Sequence, residues 1–141
     1  MNQKAIDLFE KGFSCSQSVF AAYAPIFGID EKTALKISSA FGGGMSRLAH
    51  VCGAVSGAFM IIGLKAGGED KESKERTYLF AREFAEQFKS LNGSIMCKDL
   101  LGYDISTSEG LQKAREANLF KTICPKYVRD SCQILEKMFC L

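Results

Sequence analysis

Six cysteines stand in a chain of 141 residues, at positions 15, 52, 97, 124, 132 and 140. A thiolate is both a nucleophile toward sulfur and a soft metal ligand. In a reducing compartment this many cysteines point to redox or metal chemistry rather than to permanent cross-links. No Cys-x-x-Cys pair occurs, so neither a thioredoxin-like dithiol nor a zinc knuckle with adjacent ligands is supported. Any pairing is long-range and requires separate helix ends to meet, as antiparallel helices allow.

The placement of the cysteines is informative. Cys15 follows Ser14, which forms the capping-box pattern with Gln17. Cys124 precedes Pro125, a residue favoured at the first helical position. Cys97 comes shortly after Asn92-Gly93-Ser94, and Cys52 falls early in a glycine-preceded helix. These four are thus expected near helix beginnings, where the dipole and free N–H groups stabilise an anion and raise the thiolate fraction. Cys132 shares a helical face with Val128, Leu135 and Phe139 and reads as a buried, inert thiol. Cys140, beside the last residue, reads as an exposed and incidental one.

Three other features surround Cys52. Gly53 and Gly57 each cost a helix about 1 kcal/mol relative to alanine, so their presence predicts another backbone packed closely on that face. Gly42-Gly43-Gly44 with Arg47 has the composition of an anion-binding nest, although a flexible turn explains it equally and no nucleotide-binding glycine pattern is present. His50 is the single histidine. On a helix it would point away from Cys52, which argues against its serving as that thiol's base.

The elements that must position these residues are helical. A short amphipathic turn covers Ala5 to Phe9, and a helix begins at Cys15 and weakens at Pro25 and Gly28. Asp30 caps a segment with Leu35, Ile37 and Phe41 as core positions. After the triple glycine the central helix is expected from about Ser46 to Lys65, closed by Gly67-Gly68. Next comes a long helix starting at Glu69 or Asp70 and ending at Asn92-Gly93. Its stripe of Phe80, Phe84, Phe88 and Leu91 reads as core packing. A short helix ends at Gly102, a polar stretch mixes loop and exposed helix, and a terminal helix runs from Cys124 to about Phe139. No strand or repeat is expected. The fold class is all-α, a compact bundle of about five to six helices in a single domain over 1–141.

Composition bounds the partners. With 18 basic and 16 acidic side chains, the net charge of +2 leaves no footprint for nucleic acid and no polybasic membrane anchor. The apolar run Val51 to Leu64 contains Gly53, Gly57 and Gly63 and falls short of the roughly 20 residues that cross a bilayer. The start, MNQKAIDLFEKGFSC, has no signal-peptide pattern, so a cytoplasmic location is the expectation.

The hexapeptide Cys52-Gly53-Ala54-Val55-Ser56-Gly57, with Cys15 upstream, Cys97 and Cys124 downstream and FGGGMSR just before it, resembles the redox-active protein family C_GCAxxG_C_C over essentially the whole chain. The resemblance implies four characteristic cysteines, carried here by Cys15, Cys52, Cys97 and Cys124, and no agreed substrate. His50, Cys132 and Cys140 lie outside the pattern. The expected function is a thiol protein cycling between dithiol and disulfide, with Cys52 attacking an oxidised small molecule or a redox partner protein, and with no cofactor required. Alternatives are a protein whose four cysteines bind zinc, copper(I) or an iron–sulfur cluster, and a helical interaction module; a homodimer fits any of these.

Overall fold

The computed structural model describes residues 1–141. The chain is all-α, as expected, but with more helices than five to six. Ten α-helical segments and one 3-10 turn (Ala24–Phe27) occur, of which α4 (Gly42–Met45) and α9 (Leu119–Thr122) are single turns, leaving eight longer α-helices. These are α1 (Asn2–Glu10), α2 (Cys15–Tyr23), α3 (Glu31–Ile37), α5 (Gly53–Ala66), α6 (Lys71–Asn92), α7 (Cys97–Leu101), α8 (Ser108–Glu116) and α10 (Cys124–Phe139). The extra helices come from the two stretches that the sequence leaves weakest. Thr107 caps α8 by accepting from the Gly110 amide, and residues 2–10 form a full helix rather than a turn.

Local chemistry sets most boundaries. The Ser14–Gln17 capping box opens α2, and Asp30 and Asp70 accept the amides of Thr33 and Ser73 at the starts of α3 and α6. Gly93 and Gly102, at φ +86° and +76°, end α6 and α7 in the left-handed conformation that glycine adopts without penalty.

The core is built around α5. It is apolar on all sides, and Ala54, Val55, Ala58, Ile61 and Ile62 are fully buried. Helices α2, α6 and α10 pack around it. Gly57 shows why α2 comes so close: a Cβ added there would lie 2.8 Å from the Ser16 carbonyl oxygen and 3.3 Å from the Val19 Cβ. Phe84 and Phe88 are fully buried and stack at 6.3 Å between ring centroids. The stripe stops there, because Leu91 is 57% exposed in the last turn of α6. Ile37 is likewise exposed, and Ala34 is the residue that α3 buries.

One expectation fails in an instructive way. The central helix begins at Gly53, not near Ser46. Gly43, Gly44, Met45, Ser46 and Arg47 all have φ between +55° and +72°, a left-handed turn in which three residues carry side chains. L-residues pay roughly 1–2 kcal/mol each for that conformation, so surrounding contacts must hold it. The amides of Arg47, Ala49 and His50 close it by donating to the carbonyls of Gly42, Gly43 and Gly44.

A cysteine-lined cavity

The four cysteines near helix beginnings meet. Cys15, Cys97 and Cys124 are the first residues of α2, α7 and α10, and Cys52 is the residue just before α5. All four line one cavity of about 510 Å³. Cys132 is fully buried in the core away from it, and Cys140 is exposed near the chain end.

Glycines bring these helix ends together. A Cβ on Gly53 would lie 2.9 Å from the Ser16 amide nitrogen and 3.2 Å from the Cys15 Cβ, so only glycine lets the start of α5 rest on the start of α2. On Gly44 it would lie 2.7 Å from the Cys97 Cβ, and there the left-handed turn packs against α7.

Hydrogen bonds complete the frame. An isolated antiparallel bridge pairs Val51 with Met96, in which the Cys52 amide donates to the Ile95 carbonyl at 2.8 Å and the Cys97 amide to the His50 carbonyl at 2.6 Å. Two side-chain bonds tie α10 in. Ser131 Oγ donates to the Ala54 carbonyl at 2.5 Å, and Tyr127 Oη to the Leu100 carbonyl at 2.9 Å. These bonds fix α5, α7 and α10 to one another, while α2 is held by its packing against α5.

The thiols are not equivalent. Cys15 and Cys124 are neighbours in the cavity, and each is the largest influence on the other's pKa. The Cys15 thiol, placed as donor, lowers the Cys124 pKa below the ordinary thiol value, while donation to Cys124 together with burial raises its own. Burial pushes Cys52 up to about 12, against a smaller opposite pull from the amides of Ala54 and Val55. It pushes Cys97 to about 12 as well, with a further contribution from Cys124. A position at a helix beginning therefore does not by itself make a reactive thiol; at Cys52 and Cys97 desolvation outweighs it. No group of three or more His, Cys, Asp or Glu side chains is spaced to hold a metal ion, so the metal-binding alternative at Cys15, Cys52, Cys97 and Cys124 finds no ligand set in this arrangement.

His50 turns away from the thiols. It is exposed and lines a separate, shallower cavity with Lys98, Asp99 and Asp104. Its contribution to the cysteine site is its backbone carbonyl. Conversely, Arg115 and Tyr127 line the cysteine cavity without having stood out in the sequence. Their spacing from the cysteines follows no short motif, and only the docking of α8 and α10 brings them there.

An all-α fold whose helix beginnings converge four cysteines on one cavity defines a class of cysteine-centred helical domain. The chain belongs to the family described as "Putative redox-active protein (C_GCAxxG_C_C)", whose sequence model matches residues 13–138. Where that label is written Gly-Cys-Ala, this chain reads Cys52-Gly53-Ala54. Comparison with curated proteins and with solved structures returned no match.

Proposed function

We propose that the chain is a thiol-based redox protein in which Cys124 attacks and Cys15 resolves. What supports this reading is the presence of both thiols in one cavity, where each shifts the other's pKa, Cys124 downward and Cys15 upward. The Cys124 thiolate attacks one sulfur of a disulfide R–S–S–R′. A Cys124–S–R bond forms, the S–S bond breaks, and R′–S⁻ leaves with the electron pair. Cys15 gives its proton to that departing thiolate and attacks the Cys124 sulfur, releasing R–S⁻ and leaving a Cys15–Cys124 disulfide. The substrate is reduced by two electrons, and a dithiol reductant returns them. Cys52, the attacking thiol expected from the hexapeptide, stays protonated under this reading because of its burial, and the role passes to Cys124.

Stoichiometric oxidation of the reduced protein by a small disulfide, followed by peptide mapping, tests this. A Cys15–Cys124 cross-link, lost in Cys15→Ser with Cys124 then trapped as a mixed disulfide, is the expected result. Failure of both cysteines to react while the fold is intact overturns it. Metal analysis of protein purified without oxygen separates the metal alternative, which requires a stoichiometric ion lost on the same Cys→Ser changes.

A further inference from the structure

The cysteine cavity carries an unbalanced charge that electron transfer between thiols does not use. Arg47 and Arg115 both line it, no Asp or Glu does, and neither guanidinium forms an ion pair. In a chain with 18 basic and 16 acidic side chains, that local imbalance is not a reflection of overall composition. Nor is the placement of Arg47 casual. The left-handed turn folds its side chain back over Gly43, where a Cβ would lie 3.0 Å from the Arg47 Cγ and 3.6 Å from the Ile105 Cδ1. A strained turn thus holds the stem of Arg47 against Gly43, beside Ile105, at the cavity.

Size and access narrow what enters. A cavity of about 510 Å³ falls in the range that takes small molecules. Cys52, Cys97 and Cys124 are 5%, 7% and 7% exposed and line a cavity, a placement that suits a small flexible molecule better than a sulfur held on the surface of a folded protein. Phe9, Leu111 and Phe120 add apolar surface to the lining, and Ser14, Ser39 and Ser46 add hydroxyls. The complement of these features is a low-molecular-weight thiol or disulfide with an apolar or peptide-like body and carboxylate ends.

We infer that the cavity binds a small carboxylate-bearing thiol compound, Arg47 and Arg115 taking its carboxylates while its sulfur is presented to the cysteines. This names the substrate class of the redox reading above and rests on that reading for the chemistry, though not for the binding. Arginine matches a carboxylate with two parallel N–H donors, which gives orientation as well as attraction.

The probe is S-methylglutathione, which carries two carboxylates and has no free thiol, titrated calorimetrically into the full-length reduced protein. Saturable binding to the wild type, weakened about tenfold or more in Arg47→Gln and in Arg115→Gln, is the expected result. Both arginines are exposed, so circular dichroism of the variants is expected to match the wild type. Arg→Lys at each position should recover part of the loss, and the dimethyl ester of the probe should bind weakly to every form. No binding to the wild type, or equal binding by the glutamine variants or the ester, overturns the inference. Because the probe undergoes no exchange, these outcomes are independent of whether Cys15 and Cys124 form a disulfide. A protein that cross-links them but ignores the probe keeps the redox reading and loses this one.

Discussion

Cys15 and Cys124 begin two helices far apart in sequence, α2 and α10, and their thiols are neighbours in one cavity. Cys52 and Cys97 are also neighbours, but of another kind. They follow Val51 and Met96, the two residues of the antiparallel bridge, and so lie on opposite sides of it.

The first prediction is therefore an order of pairing. On titration with a mild oxidant, Cys15–Cys124 closes before any bridge that includes Cys52 or Cys97. Timed alkylation and peptide mapping would follow it. A Cys52–Cys97 bridge appearing first would contradict the geometry.

Reactivity should be ordered as well, and its pH dependence has a definite sign. Cys124 is the thiol whose pKa is lowered, so its alkylation by iodoacetamide should be fastest of the four at neutral pH and should fall as pH drops through that lowered value. Cys52 and Cys97, pushed up to about 12, should react appreciably only in strong alkali. Replacing Cys15 with serine weakens the donor and should shift the Cys124 profile to higher pH. An unshifted profile would mean that Cys15 does not set it.

The same burial makes stability fall with rising pH. Cys52 and Cys132 are held near 12 in the folded protein against an ordinary value of 9.0. Above about pH 9 the unfolded chain releases protons that the folded chain keeps, so the contribution is whole below that pH and is lost as pH climbs toward 12. Melting temperature should decline across that window under reducing conditions. Cys132→Ala should lower stability at pH 7, since it opens space in the core, yet flatten the alkaline decline. A slope unchanged by that substitution would count against the linkage.

Much of the fold could be read from the sequence because its signals are local. The Ser14–Gln17 box, the Asp30 and Asp70 caps and the Pro125 start each depend on residues within one turn of each other. The Met45-Ser46-Arg47 turn could not, since those residue types ordinarily favour a right-handed helix and only the surrounding contacts hold them left-handed. Exposure at Leu91 and Ile37 escaped for a related reason: apolar spacing reports a face but not how far along the helix a neighbour covers it. At the site, the four cysteines were evident as a set, whereas Arg115 and Tyr127 belong to it only through packing of distant segments.

The glycines of α5 allow a matched comparison. At Gly57 an added methyl would meet the Ser16 carbonyl oxygen at 2.8 Å, while at Gly63 it would meet nothing within 4 Å. Gly57→Ala should destabilise by about 1–3 kcal/mol through overpacking, despite the better helix propensity of alanine. Gly63→Ala, in the same helix, should stabilise by up to about 1 kcal/mol. Urea titration of both variants would check this, and equal effects would show that helix propensity rather than the contact between α2 and α5 governs Gly57.

Gly44 links stability to the arrangement of the thiols more directly than any other glycine. It sits at φ +65°, and an added Cβ would lie 2.7 Å from the Cys97 Cβ, 2.7 Å from the His50 amide nitrogen and 2.9 Å from the Ala49 carbonyl carbon. Two costs act together. A left-handed alanine costs roughly 1–2 kcal/mol, and the overlap involves backbone that cannot swing aside like the end of a side chain. Because the Cys97 amide is bonded to the His50 carbonyl, displacing His50 also displaces the start of α7. Gly44→Ala should therefore cost about 2 kcal/mol or more and raise the alkylation rate of Cys97 as its burial is relaxed. Cys15 and Cys124, held by α2 and α10, should still pair in whatever fraction folds. Loss of stability with Cys97 reactivity unchanged would mean that the glycine turn supports the fold without positioning that thiol.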